Sequence, residues 1–187
     1  MANLASASAG GAASHLRRRA AYRAGQFLRS LRPRLTPGDA AEVRRLLSPS
    51  QLRLFLQMEP HDRRQAVDVM LWLQHHVDPA PASDLLVAGL LHDAGKGSLR
   101  RGDRVRFVLL HALSPRLVKR LASERGPRWR RALWSLWHHA RLGAELLAAA
   151  GTRPAVVDIV ARHTLPLATV AADERELRWL IMADNAS

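Results

Sequence analysis

An unbroken apolar run, Asp84-Leu85-Leu86-Val87-Ala88-Gly89-Leu90-Leu91, leads directly into His92-Asp93-Ala94-Gly95-Lys96-Gly97. A buried apolar helix that ends in His-Asp is a costly thing to build for packing alone. Ionised Asp is destabilising inside a protein unless it is paired or bound to a metal. Neighbouring imidazole and carboxylate groups are two good ligands for a divalent metal. Gly95 and Gly97 break the helix, and Lys96 offers a cation to an anionic substrate. The alternative is an Asp93 that caps a turn beside a satisfied His92.

The rest of the chain reads as helices. Thr36-Pro37-Gly38-Asp39 predicts a helix to Leu47, capped by Thr36 with Pro37 in the first turn. Ser50 is expected to cap a short helix to Gln57. Asp62 is expected to cap the helix that carries Gln65, Val69, Leu73 and His76. Pro79-Ala80-Pro81-Ala82 predicts a turn, with Ser83 capping the helix that ends at His92. An amphipathic helix is expected over 104–113, and another from Ser114-Pro115 to about Ser123. A long helix runs from Arg128 to Ala150, stopped by Gly151. Thr152 and Pro154 open a helix to His163, and Asp173 to Asp184 is the last. No segment alternates with the period of two that a strand requires, so the fold class is all-α, with six to eight helices in the main domain.

The chain has 187 residues and no cysteine, which rules out disulfides, thiolate zinc sites and cysteine nucleophiles. No apolar run approaches the roughly 18 residues of a membrane span, and a cytoplasmic location is expected. Net charge is +13, and Lys96 and Lys119 are the only lysines. An Arg-rich, Lys-poor balance is what a GC-rich bacterial genome produces. Seven arginines and no acid precede Asp39. Residues 1–15 read as a flexible tail, 16–35 as a basic helical segment and 36–187 as the main domain. The basic segment has three readings: an arm for nucleic acid, a transit peptide, or a solvated first helix. In the third, Ala20, Ala24, Phe27, Leu28 and Leu31 dock on the domain. Few aromatics accompany these arginines, so stacking on single strands has no support.

Further ligand-type residues follow the His-Asp pair. His138 and His139 are adjacent, so only one can face a shared site. His163 ends an apolar helix, where its charge would also suit the helix dipole. Asp184 follows Leu180-Ile181-Met182-Ala183, and an acid at a helix C-terminus opposes the dipole, which favours a ligand role. His15, His75, His76 and His111 read as ordinary polar residues. Trp129, Trp134 and Trp137 read as packing. Arg100, Arg101, Arg104 and Arg106 follow the motif as a basic rim able to draw in phosphates.

This order of residues resembles the signature of the HD-domain superfamily, the helical metal-dependent phosphohydrolases. The resemblance covers roughly Asp62 to Asp184 and rests on His92-Asp93-Ala94-Gly95-Lys96, His139, His163 and Asp184. Gly143-Ala144, where backbones can approach closely, makes His139 rather than His138 the match. Gln65 stands where the family has an early His, and an amide oxygen is a weaker ligand than imidazole. His61 lies one helical turn earlier and is the nearest substitute.

The resemblance implies a metal set of His92, Asp93, Asp184, His139, His163 and Gln65, holding Fe, Mn, Zn, Co or Ni. It implies that Asp93, Lys96 and His139 act in hydrolysis of a phosphoester, a phosphorylated small molecule or nucleotide. The second reading, favoured by Gln65, is a degenerate HD domain that senses nucleotides or partners without catalysis. Nucleic acid is a further partner class through the basic N-terminus.

Overall fold

Proline and hydroxyl residues punctuate this chain, and they set most helix starts. The computed structural model describes residues 35–187 apart from Ser98 and Arg100. The tail and basic segment predicted over 1–35 therefore lie outside the described residues, except for Leu35, which packs on the core. Among the described residues there are nine α-helices and no strand. They are α1 (Pro37–Leu46), α2 (Pro49–Gln57), α3 (Pro60–His76), α4 (Ser83–Leu91), α5 (Arg101–Leu113), α6 (Pro115–Leu121), α7 (Arg128–Ala149), α8 (Pro154–Arg162) and α9 (Arg175–Ala186). Single 3-10 turns follow α4 (Ala94–Lys96) and α8 (Leu167–Thr169). The all-helical expectation holds.

Five of these helices, α1, α2, α3, α6 and α8, open with Pro in the first turn. The ring presets φ, and the missing N–H is one the helix would leave unbonded anyway. Thr36 and Asp39 form a reciprocal capping box on α1. The cap of α2 is Ser48 rather than Ser50, because Ser48 and Gln51 complete the same box while Ser50 Oγ donates to Ala150 O, 2.9 Å away at the end of α7. Ser83 is the first residue of α4 and makes no cap; Ala82 stands at that position.

Asp62 is also not a cap. It lies within α3, is buried, and accepts both terminal nitrogens of Arg104, one of them at 2.7 Å. That bidentate pair ties the start of α3 to the start of α5. It also turns Arg104 away from the rim expected after the motif. Arg106 stacks on Trp129 at 5.9 Å, and the side chains of Arg100 and Arg101 lie outside the described ones.

The centre is α4. Every residue from Leu85 to Leu91 is buried, as expected for a helix apolar all round. α3, α8 and α9 pack around it, with α1 and α2 at its other flank. α7 crosses both α8 and the 3-10 turn at the end of α4. Residues 35–187 form one compact unit. No helix among the described residues is long and apolar enough to cross a membrane. Of the predicted amphipathic helix, Val105, Val108, Leu109 and Leu113 are exposed, while Phe107 packs against Leu99, Ala132 and Leu136.

The cost of a core truncation scales with how little the site can collapse. Leu90→Ala, at a fully buried position, is expected to lower unfolding free energy by about 3 kcal/mol in chemical denaturation. Val108→Ala, at an exposed one, should change it by less than about 0.5 kcal/mol.

Candidate metal centre

His92 and Asp93 leave the C-terminal end of α4 and enter a space walled by α7, α8 and α9. The turn that carries them lies against α7 at backbone contact. A Cβ on Gly95 would sit 2.0 Å from His139 O and 2.3 Å from Gly143 N, so only glycine fits. Gly143 faces Gly95 from α7 in the same contact, 3.2 Å from Gly95 N to a Cβ built on it. Gly97 then takes a φ of 66° with ψ at −166°, a region that is essentially glycine's alone. Ser135 Oγ donates to Lys96 O at 3.0 Å and completes the clamp.

Three imidazoles meet there, each oriented in the same way. His92 Nδ1–H donates to Gly89 O (2.9 Å), His139 Nδ1–H to Leu136 O (2.8 Å) and His163 Nδ1–H to Val160 O (2.7 Å). A carbonyl can only accept, so each Nδ1 carries a proton and each ring turns Nε2 into the shared space, as a lone pair whenever that ring is neutral. These Nε2 atoms converge. His139 Nε2 and His163 Nε2 are 3.3 Å apart. His92 Nε2 is buried and has no hydrogen-bond partner among the described residues. Ligating histidines typically hold their other nitrogen on a carbonyl or carboxylate in this manner.

Two carboxylates complete the cluster. Asp184 Oδ1 is 3.3 Å from His92 Nε2, and Asp93 Oδ2 is 3.4 Å from it. Asp93 Oδ1 is 3.6 Å from His139 Nε2. Lys96 Nζ sits on the Asp93 carboxylate. Gln65, on α3, donates Nε2–H to Asp184 Oδ1 at 3.1 Å. Two sets of three ligand atoms lie within 4.8 Å of one another: His92, His163 and Asp184, and Asp93, His139 and His163. Either set can hold a metal ion, and His163 belongs to both.

The electrostatics follow from burial opposed by neighbours. Burial pushes the His92 imidazole down, but Asp93 and Asp184 outweigh it and hold it well above its ordinary value. Burial pushes Asp93 up, but His92, Lys96 and His139 hold its carboxyl well below the usual carboxylate range. Asp184 is likewise lowered against its burial, chiefly by His92. His139 is lowered by burial, with Asp93 opposing. His163 is lowered to about 4, by burial and then by the charges of His92 and His139. The cluster therefore holds two carboxylates against a shared proton and the Lys96 ammonium.

The residues expected from the sequence thus gather in one place, from five elements. His138 does not join them; it packs beside Trp134, with ring centres 5.0 Å apart. His61 is exposed in the first turn of α3, and Gln65 is the α3 residue that reaches Asp184. His76 stacks on Trp72, and His111 lies between Phe107 and Trp137. Sequence reasoning missed Arg128, Arg131 and Ser135, which line a cleft of about 240 Å³ with Lys96. Their signal was the run of basic residues opening α7, some thirty residues beyond the motif and without a motif of its own.

Gly95→Ala is expected to lose several kcal/mol of stability, since the clash is with backbone that cannot rotate away; thermal melting reads it. His163 sets a pH dependence. Its folded value is depressed, so its contribution is present above the unfolded value near 6.5 and is lost as pH falls toward about 4. Urea titrations of chelator-treated protein at pH 6.5 and pH 4 should differ by less in His163→Gln than in wild type, by roughly 3 kcal/mol at most.

Compared with models of protein families, with curated proteins and with solved structures, the chain matches none. What this centre can do follows from its own geometry.

Proposed function

We propose that this chain is a metal-dependent phosphohydrolase of the HD type, acting on a phosphoester such as a nucleotide. The observation that carries the reading is the convergence of three Nε2 atoms and two carboxylates, with His92 Nε2 buried and making no hydrogen bond among the described residues. Lone pairs 3.3 Å apart repel unless a cation or proton lies between them. The donor set, imidazole nitrogen with carboxylate oxygen, suits Fe, Mn, Zn, Co or Ni, and availability selects among these.

His92, Asp93, Asp184, His139 and His163 are the residues that would hold the ion. A divalent ion there supplies a water of lowered pKa and polarises the phosphoryl oxygen. Gln65 acts one step back, orienting Asp184 through its amide N–H. His139 is the least buried of the three imidazoles, so it faces arriving substrate. Its Nδ1 proton is committed to Leu136 O, which leaves Nε2 to ligate or to take a proton. Within the chemistry it is a base rather than an acid. Lys96 holds Asp93 ionised and brings positive charge beside the phosphoryl group.

A second reading, a nucleotide-sensing or interaction module without catalysis, is favoured by one observation. Gln65 turns its amide N–H toward Asp184, where an imidazole would present a lone pair.

Elemental analysis of protein purified without chelator or His-tag separates the two. About one or two divalent ions per chain, lost in Asp93→Ala, is the expected result, followed by turnover in a phosphoester screen. A chain that stays metal-free after incubation with Mn, Fe and Ni overturns the hydrolase. Gln65→His is expected to tighten metal binding by about tenfold or more, as gains and losses around metal ligands typically do; competition with a fluorescent chelator measures it.

A further inference from the structure

We infer that Arg128 and Arg131 form a second anion-binding subsite beside the metal centre, so that its substrate carries a condensed phosphate chain rather than a single phosphate. The inference rests, for the word substrate, on the hydrolase reading above.

The cleft of about 240 Å³ lies between the turn after α4 and the first turns of α7. Its charged lining is Lys96, Arg128 and Arg131, its hydroxyl is Ser135, and its apolar floor includes Leu99 and Ala132. Among the described residues no carboxylate lines it. The volume equals that of about eight waters and falls below the roughly 300 Å³ at which pockets begin to take whole ligands. It therefore suits one group of a larger molecule. Lys96 and Arg128 each already face one carboxylate while Arg131 faces none among the described residues, so the lining keeps a positive excess that favours an anion, and planar guanidinium forks match phosphoryl oxygens.

The state of each cation matters more than their number. Arg128 and Arg131 are three residues apart, on one side of α7. Arg128 is steered by Asp103, 2.9 Å from its Nη2. Other arginines of α7 are committed: Arg130 donates to Leu121 O and Arg141 pairs with Glu145. Arg131 has no such partner among the described residues. Lys96 lines the cleft and also touches Asp93. One side chain therefore separates the cleft from the metal-ligand set. Anionic groups bound at the two places are neighbours, which is the arrangement of a di- or triphosphate chain and not of phosphates at opposite ends of a ligand.

Isothermal titration of the full chain with orthophosphate and with tripolyphosphate tests this. Repeating it after chelator treatment excludes capture of metal by the probe. Wild type is expected to bind tripolyphosphate at least about tenfold more tightly than orthophosphate. Arg131 is exposed, so Arg131→Ala should fold normally. It should lose most of that preference while binding of orthophosphate stays within about twofold, and Arg131→Lys should recover part of it. Arg141→Ala removes an exposed arginine of the same helix and should leave both affinities unchanged. Equal weakening by Arg141→Ala would mean diffuse attraction to a +13 protein and overturns the subsite. So does a wild type with no preference for the longer chain. If Arg131-dependent binding persists in a chain that takes up no metal, the subsite stands and the hydrolase falls. In a metal-loaded chain without that dependence, the subsite falls and the hydrolase stands.

Discussion

Asp93 is the residue on which the rest of this domain is arranged. A helix buried on every side delivers its carboxylate into an interior where an isolated charge is untenable. His92, Lys96 and His139 compensate it, each from a different direction. His92 and Lys96 lie on the same stretch of chain, but His139 can reach only because α7 lies against the turn after α4 at backbone contact, through Gly95 and Gly143. The apolar burial of Leu85 to Leu91, worth roughly 1.5–3 kcal/mol for each large side chain, holds the turn in place. Packing and electrostatics are here one device: the core fixes α4, α4 fixes Asp93, and Asp93 recruits the cations around it.

The same arrangement explains why the centre is suited to a metal and poorly suited to being merely structural. A stabilising buried network satisfies each of its polar atoms. Among the described residues this one leaves His92 Nε2 without a hydrogen bond and sets His139 Nε2 against His163 Nε2. The three Nδ1–H groups are spent on carbonyls of their own helices. That costs the site its hydrogen-bond donors and leaves it rich in acceptors, which is the balance a cation requires. The cleft alongside has the opposite balance, with guanidinium and ammonium groups and, among the described residues, no acid. In the proposed hydrolase the two environments would divide a phosphate ester between them, one taking its electrophilic centre and one its anionic oxygens.

Much of the site is legible in the sequence, because its residues sit at recognisable places on helices. His92 and Asp93 end an apolar run, His163 ends another, and Asp184 follows Leu180-Ile181-Met182-Ala183. The choice of His139 over its neighbour is also legible, since adjacent helical residues point apart and Gly143 marks a close approach. Asp62 is not, because a carboxylate near a helix start looks like a cap in one dimension. Its true partner, Arg104, lies 42 residues away. Ser50 misleads for a related reason: Ser48 and Gln51 form the local box, while the Ser50 hydroxyl is used by a carbonyl at the far end of α7.

What the sequence by itself determined was the class of the helices, opened by Pro and hydroxyl caps with one buried on all sides, and a set of side chains of the kinds that can hold a metal. These depend on local propensity and period, which act within a few residues. Only the tertiary structure decided which nitrogen each imidazole presents, that Gln65 serves Asp184 through its N–H, and that Arg128 and Arg131 stand beside Lys96. Those facts depend on the crossing of α7 over the turn after α4, and no local rule specifies which side chains two crossing backbones bring face to face.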